Sequence, residues 1–360
     1  MKKIFLTIAA LILLTARSFA FDPVEIHDDR SRTEFWISKN SDGEQILLTQ
    51  EEISQINSRF QFNALKSYDD ENVQFAVTSE SAELRSEPNP DLEFKTLDPL
   101  EPIVVLEKNP EGTFYRIETK DLAGWINARA VSFTNRETWL KFLEPEKFLV
   151  VTSNKKIVNI GSSFQIEFRM GSKIPIQSFD AKSGKYIARM IFDVNQTLNE
   201  IPVRINDDDS IHLGYLDCTE NNFIRQAIQC LGDNQLDSYE FTAAVYRTMG
   251  LELPRDYRQE RALPIRMQFT NLSPAEKSTR ISVARPGAII FAPGHAMMFL
   301  GMDSNKPIVI QSLDAYFTFD EYGIRTKNSI DRVVISNLDF LNSKGASILQ
   351  WSTSVGEIRK

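Results

Sequence analysis

A hydroxyl side chain and one downstream imidazole are the residues of this chain best placed to do chemistry. Ser238 follows Asp237 at the predicted N-terminus of a helix, and His295 is the one histidine that comes later in the sequence. A nucleophile with a base in hydrogen-bond reach is the minimal unit of covalent catalysis. A helix N-terminus lowers the pKa of a thiol, but it does not ionise a hydroxyl. Ser238 and His295 together therefore indicate a weak nucleophile with a nearby base.

The same residues also match a helix-capping pattern that needs no chemistry. Asp237 is of a type preferred at the N-cap, and Glu240 stands three residues later, as in a capping box. His295 would then be an ordinary polar residue at a strand edge. Arg255 and Gln259, which follow the helix, are expected to fix the next loop rather than to touch a substrate. Both interpretations are open at this level.

The elements that must position these residues are two helices followed by strands. Apolar residues recur at helical spacing from Phe223 to Leu231 and again from Phe241 to Met249. Gly250 is a suitable residue just past the end of the second helix. Strands are predicted next, at residues 288–292, 296–302 and 308–310. Helices followed by an antiparallel sheet indicate an α+β domain.

The preceding part of the chain is predicted to be rich in strands. Five short strands between residues 74 and 126, with a hairpin turn at 109–112, suggest a small barrel. A helix is predicted over 136–147, and strands return over 148–213, which suggests a second barrel. Residues 21–70 hold a predicted helix with a Thr49–Glu52 capping box and form either a docking extension or a small helical cap.

The first 20 residues read as a secretory signal. Lys2 and Lys3 precede an apolar run, and Ser18-Phe19-Ala20 is a small-x-small cleavage site. The run is too short to span a membrane, so we expect a mature protein that begins near Phe21 outside the cytoplasm and is not membrane-spanning. The net charge of −8 argues against nucleic acid as a partner.

The two cysteines are expected to be free and buried. A helix is predicted between Cys218 and Cys230, and at about 1.5 Å rise per residue it would hold them about 18 Å apart. A disulfide needs Cα atoms within about 7 Å. The acidic run Asp207-Asp208-Asp209 lacks the glycine and the distal glutamate of a calcium loop, so it predicts a solvated turn. No metal or other cofactor is predicted.

Two sequence runs resemble a known family. They are G-L-E-L-P-R-D-Y-R-Q, from Gly250 to Gln259, and the P-G and H-A-M-M-F-L-G pattern between Pro286 and Gly301. With the order of the barrels, they resemble the NlpC-type cell-wall cysteine peptidases that carry bacterial SH3-type barrels. The resemblance covers about residues 30–350. It implies two small all-β SH3-type barrels, at 71–135 and 136–213, followed by a papain-like α+β domain at 214–360.

The resemblance also implies roles for individual residues. Members of this family are γ-D-glutamyl–diamino acid endopeptidases of peptidoglycan, with a catalytic Cys at the position of Ser238. His295 matches the catalytic histidine, and Gln311 matches the third polar residue by position. Asp237 matches the acidic residue that anchors the free amine of the peptide substrate.

The departures from the family pattern lie at the positions that carry out catalysis in the family. Ser238 replaces the Cys, Tyr239 and Glu240 replace Ser and Gly, and residues 231–236 lack the aromatic implicated in holding the oxyanion. We therefore expect an exported, catalytically inactive envelope protein that binds peptidoglycan stem peptides or envelope proteins. The alternative is an active hydrolase of γ-D-glutamyl–diaminopimelate bonds that uses Ser238. A purely structural role is a third interpretation.

Overall fold

The computed structural model describes residues 25–60, 65–69, 71–92, 94–161, 164–194 and 197–358, so the predicted signal peptide lies outside the described residues. The α-helices of this part are α1 (Thr33–Ile37), α2 (Gln50–Asn57), α3 (Arg136–Leu143), α4 (Glu220–Gln229), α5 (Ser238–Arg247), α6 (Gln259–Ala262), α7 (Pro274–Ile281) and α8 (Ile348–Trp351). The strands are β1 (Gln74–Thr78), β2 (Ala82–Arg85), β3 (Phe94–Leu97), β4 (Pro102–Lys108), β5 (Phe114–Glu118), β6 (Ala123–Asn127), β7 (Val131–Phe133), β8 (Phe148–Val151), β9 (Lys155–Ile160), β10 (Phe164–Arg169), β11 (Lys173–Asp180), β12 (Lys185–Val194), β13 (Thr197–Asn206), β14 (Ile211–Leu213), β15 (Ile265–Gln268), β16 (Ile289–Ala292), β17 (His295–Asp303), β18 (Lys306–Phe319), β19 (Arg325–Ser336) and β20 (Ser354–Glu357).

The N-terminal extension, residues 25–60, docks on the C-terminal part of the chain. The Thr49–Glu52 capping box is present at the start of α2, as predicted. The Asn57 side chain donates to the carbonyl of Gly250 (2.8 Å) and accepts from the amide of Glu252 (3.0 Å). The backbone amide of Leu47 donates to the carbonyl of Cys218 (2.8 Å). These contacts hold residues 25–60 against the C-terminal part of the chain.

One close approach in this docking requires glycine. Trp36 of α1 is buried, and its ring lies against Gly301 in β17. Gly301 has a φ of 148°, and a Cβ atom there would lie 3.2 Å from the Trp36 ring. Glycine is the residue that adopts this φ without strain and leaves room for the ring.

The predicted strands between residues 74 and 213 are present, in two segments. The first β segment comprises β1–β7 (residues 74–133), and the second comprises β8–β14 (residues 148–213). The strands form a twelve-stranded order, β14-β8-β11-β12-β13-β7-β1-β4-β5-β6-β2-β3, with β9 and β10 as a separate ribbon. A parallel pairing of residues 197 and 133 joins the two segments within this order.

Strand β1 faces a different core on each side. Ala76 packs with Ile103 and Ile117 inside the first segment. Its neighbour Phe75 points the other way and packs against Trp139 of α3, with ring centroids 4.8 Å apart. Side chains alternate between the two faces of a strand, so a continuous apolar run serves both cores.

Helix α3 is shorter than predicted. The sequence pattern favours a helix over residues 136–147, whereas the helix ends at Leu143. Residue 145 is proline, and a proline disfavours the helical conformation at the residue before it. Trp139 and Phe142, on the predicted apolar face, are buried.

The C-terminal part has the predicted order of helices first and an antiparallel sheet afterwards. Its sheet has the order β15-β20-β16-β17-β18-β19 and is antiparallel throughout. Met298 and Ile310 lie on the face that packs with Phe241 of α5, while Phe299 and Val309 face a second core. Strand β19, rich in charged residues, was not predicted. Among the described residues, no helix combines the length and apolarity needed to cross a membrane.

Cys218 and Cys230 are both free and buried, as predicted. Helix α4 lies between them, and Cys230 is its C-cap residue. Burial raises the pKa of the Cys218 thiol to about 12. Burial, with the nearby Asp233 carboxylate adding to it, also raises the pKa of Cys230. Both side chains act as small apolar groups in the core.

We expect both thiols to be unreactive in the folded protein and free in the unfolded protein. Alkylation in denaturant without reductant should label both positions, as read by mass spectrometry, whereas the native protein should be labelled slowly because burial disfavours the thiolate. Alkylation of the two cysteines only after a reductant is added would contradict the structure.

Candidate functional site

The start of α5 is fixed by the predicted capping box. One carboxylate oxygen of Asp237, Oδ1, accepts hydrogen bonds from the backbone amides of Tyr239 and Glu240, both at 2.8 Å. The Glu240 carboxylate in turn accepts from the amide of Asp237 at 3.2 Å. The predicted capping box is therefore present, and such caps stabilise a helix by about 1 kcal/mol.

Ser238 lies in the first turn of α5, pointing at the start of β17. Its side chain is 7% exposed, and its Oγ accepts a hydrogen bond from the backbone amide of Ala296 at 3.2 Å. Ala296 directly follows His295, so the hydroxyl lies beside the strand residue that carries the imidazole. The structure thus brings together two residues that are distant in sequence.

His295 and Gln311 form a hydrogen-bonded pair on the neighbouring strands β17 and β18. His295 Nε2 lies 2.6 Å from Gln311 Oε1, and Gln311 Nε2 donates to Ser336 Oγ at 2.6 Å. Gln311 Oε1 faces His295 Nε2, and because an amide oxygen is an acceptor, Nε2 carries the proton of this hydrogen bond. Nδ1 is left as the nitrogen able to accept a proton.

Burial of the imidazole favours its neutral form. Burial lowers the pKa of His295, although the hydrogen bond to Gln311 opposes this shift. A neutral imidazole is suited to accept a proton but does not stabilise a neighbouring thiolate as an imidazolium would. In the part of the chain that the structure describes, no hydrogen bond joins Ser238 Oγ to His295.

The segment before α5 is tied down by Asp233, a residue that the sequence interpretation missed. Asp233 Oδ1 accepts from the amides of Gln235 (2.7 Å) and Leu236 (3.1 Å). Ser312 Oγ donates to the carbonyl of Leu236 at 2.6 Å. These two amides are therefore not free to stabilise an oxyanion near Ser238. An aspartate that binds the backbone amides two and three residues later is a known turn pattern. This pattern was the sequence signal that could have identified Asp233.

Lys95 of β3 is the second residue that the sequence interpretation missed. Its Nζ lies 2.6 Å from Asp237 Oδ2 and 2.7 Å from the carbonyl oxygen of Arg255. The backbone amide of the next residue, Thr96, donates to Glu240 Oε1 at 3.3 Å. The first β segment therefore contributes directly to the start of α5.

The carboxylate of Glu240 is the most perturbed acid of this helix start. Glu240 is 4% exposed. Burial raises its pKa, and the nearby Asp237 carboxylate raises it further, while Arg169 and Lys95 oppose the shift. Burial likewise raises the pKa of Tyr239, to about 12. Both groups therefore favour their neutral forms more than they would in water.

Arg255 and Gln259 fix the loop after α5, as the sequence predicts. Arg255 is 2% exposed, and its guanidinium donates to Asp121 (2.7 and 3.0 Å) and to Glu101 (3.1 Å) in the first β segment. Burial alone would raise the pKa of Asp121, but Arg255 lowers it below its ordinary value. Gln259 Nε2 donates to the carbonyls of Tyr239 and Pro254, both at 2.9 Å.

Comparison with known proteins identifies the fold. No family model and no curated protein matches the sequence. The structure is similar to that of an NlpC/P60 endopeptidase from Photobacterium damselae subsp. piscicida, with a TM-score of 0.67 and 12% identity over 95% of this chain and 90% of that one. It is also similar to an NlpC/P60 family protein from Bacillus cereus ATCC 10987, with a TM-score of 0.54 and 16% identity over 79% of this chain and 100% of that one. The chain therefore has the fold of the NlpC/P60 proteins, as the resemblance predicted.

Proposed function

We propose that this protein is an exported envelope protein that binds peptidoglycan stem peptides, or an envelope protein, at the start of α5 without cleaving them. The proposal assigns residues 21–70 to a docking extension, 71–135 and 136–213 to two SH3-type barrels, and 214–360 to a papain-like domain. The observation that carries it is the retained Ser238, His295 and Gln311 arrangement within an NlpC/P60 fold, with a hydroxyl in place of the thiol.

The argument against cleavage rests on the surroundings of Ser238. Its hydroxyl has no hydrogen bond to His295 among the described residues. The amides of Gln235 and Leu236 are already bound by Asp233. A hydroxyl nucleophile needs a base in hydrogen-bond reach and donors for the developing oxyanion. Among the described residues, neither a bond to His295 nor the amides of Gln235 and Leu236 meet these needs for Ser238.

The argument for binding rests on Asp237. Its side chain is 46% exposed. Oδ2 does not bind the capping amides and instead accepts a hydrogen bond from the ammonium group of Lys95. A carboxylate in this position suits the free amine of a peptide, which it would hold by a charge-assisted hydrogen bond. Peptides of the type L-Ala-γ-D-Glu-diaminopimelate carry such an amine.

We expect such a peptide to bind, and both Asp237→Ala and Asp237→Asn to weaken binding about tenfold or more. Hydrogen bonds to charged groups contribute about 1.5–3 kcal/mol, which is the source of this magnitude. Asparagine is as good an N-cap as aspartate, so Asp237→Asn removes the charge and keeps the helix start. Isothermal titration calorimetry measures the dissociation constants.

The peptide acetylated at its L-Ala nitrogen is the matched ligand control, because it lacks the charged N-terminal amine and keeps the side-chain amine of diaminopimelate. It should bind weakly to the unmodified protein and be insensitive to Asp237→Asn. Equal binding of the free and acetylated peptides, unchanged by Asp237→Asn, would rule out Asp237 as the amine site. No binding of either peptide would refute the stem-peptide function.

The alternative function is slow hydrolysis of γ-D-glutamyl–diaminopimelate bonds by Ser238. The specific observation in its favour is the hydrogen bond between Ser238 and the strand residue next to His295, whose Nδ1 is not the nitrogen that bonds Gln311. Mass spectrometry of the same peptide after incubation with the protein separates the two functions, because binding leaves the peptide mass unchanged.

Export is expected from the first 20 residues, which lie outside the described part of the chain. N-terminal sequencing of protein recovered from an envelope fraction should begin at or near Phe21, because Ser18-Phe19-Ala20 fits signal-peptide cleavage. Recovery of the intact Met1 form from the cytoplasm alone would contradict export.

A further inference from the structure

Lys95 occupies the position that a ligand amine would take at Asp237. Two of the three protons of its ammonium are used, by Asp237 Oδ2 at 2.6 Å and by the carbonyl of Arg255 at 2.7 Å. Asp237 Oδ1 is already committed to the two capping amides of α5. A second ammonium therefore cannot take Oδ2 in the same geometry while Lys95 remains there.

The backbone around Lys95 is held in place from two sides. Thr96 donates its amide to Glu240 in α5, and its carbonyl accepts from Arg169 Nη2 at 2.6 Å. Arg169 is 5% exposed and is itself fixed by Asp98, at 2.8 Å. These contacts keep the Lys95 side chain within reach of Asp237, so it acts at a high effective concentration without any free ligand.

The Lys95–Asp237 pair is nevertheless accessible. The two side chains are 28% and 46% exposed. Ion pairs in partial contact with water contribute little, about 1 kcal/mol or less. An amine whose ligand makes further contacts with the protein can therefore displace Lys95, whereas an amine held by Asp237 alone cannot.

We propose that Lys95 is a tethered competitor, which a peptide amine must displace in order to bind Asp237, and that it thereby sets the affinity and selectivity of the site. This inference rests on the proposed binding function. It makes strand β3 part of the binding site, through a residue of the first β segment. Removal of the competing ammonium should strengthen binding of amine-terminated peptides, and its replacement by another cation should not.

The test compares Lys95→Met and Lys95→Arg with the unmodified full chain, by calorimetry with L-Ala-γ-D-Glu-diaminopimelate. Lys95→Met should bind the peptide up to about fivefold more tightly, the factor that corresponds to losing an exposed ion pair. Lys95→Arg keeps a competing cation and should not show this gain. The N-acetylated peptide should show no gain with Lys95→Met.

Lys306→Met is the matched control, because Lys306 pairs with Asp339 at an exposed site and the substitution changes the net charge equally. It should leave the affinity unchanged. If Asp237→Asn weakens binding but Lys95→Met binds no more tightly, the competitor role is wrong while the binding function stands. If an equal gain appears with Lys306→Met, the effect is one of overall charge, and the role is again wrong. If no variant binds the peptide, the proposed binding function itself fails.

Discussion

Replacement of Arg255 by alanine is expected to lower the free energy of unfolding by about 3–5 kcal/mol. Arg255 is 2% exposed, and it is the shared partner of Asp121 and Glu101. Removing one partner of a buried ion pair leaves the remaining charges without solvent or counter-charge, and this desolvation is the main cost. Urea unfolding followed by circular dichroism gives the free-energy difference.

Arg116→Ala is the matched control for this substitution. Arg116 pairs with Glu107, and both side chains are 51% exposed, so its loss should cost about 1 kcal/mol or less. If both variants lose the same small free energy of unfolding, the ion pairs of Arg255 with Asp121 and Glu101 do not hold the first β segment on the C-terminal part.

A fall in pH should reduce the difference in free energy of unfolding between the unmodified protein and Arg255→Ala. Arg255 lowers the pKa of Asp121 from its ordinary value of 3.8, after burial alone would have raised it. A lowered pKa in the folded state contributes stability that is present above the unfolded pKa and is lost as the pH falls through the folded pKa. In Arg255→Ala the burial of Asp121 acts without this cation and raises its pKa, so the variant gains stability as Asp121 takes up a proton. The difference measured at pH 7 should therefore begin to shrink above the ordinary value of 3.8 and should shrink further as the unmodified protein protonates Asp121 below it.

Ser238→Cys is expected to recover little or no stem-peptide hydrolysis. The substitution restores a thiol, but residues 231–236 offer no aromatic donor and Asp233 holds the amides of Gln235 and Leu236. Loss of one oxyanion donor typically costs about 10² to 10³ in rate. Mass spectrometry of the peptide after long incubation measures the product, with an active endopeptidase as the positive control.

Two further variants make the result decisive. Ser238→Ala reports any turnover by the native hydroxyl, and His295→Ala reports any contribution of the imidazole as base. We expect the unmodified protein and both variants to be equally inactive. Robust turnover by the unmodified protein, abolished by each of the two substitutions, would establish a serine hydrolase instead of a binding protein.

Local features of the chain were predictable from its sequence. The capping boxes at Thr49 and Asp237 form as predicted, because each involves residues three positions apart whose hydrogen bonds depend on little else. The turn at residues 109–112 and the apolar faces of α4 and α5 follow from local geometry in the same way. The separation of Cys218 and Cys230 by α4 follows from helix length.

Long-range contacts were decided by the tertiary structure alone. Lys95 stands in a strand of another segment, and nothing in its sequence surroundings indicates that it reaches Asp237. The partners of Arg255, Asp121 and Glu101, are likewise set by how the first β segment packs on the C-terminal part. Strand β19 is charge-rich and lacks a strong apolar pattern, so its pairing with β18 was not foreseen.

The sequence by itself therefore determined local features and predicted which residues form the candidate site, while the tertiary structure decided what those residues contact. Ser238, His295 and Gln311 were named in advance because they match the family's catalytic positions, and the structure places His295 against Gln311 and Ser238 against the start of β17. Occupation of Asp237 by Lys95 and of two amides by Asp233 depends on distances between atoms that only packing sets. Each of these contacts needs side chains placed to within a fraction of an ångström, and residue type and spacing do not specify that placement.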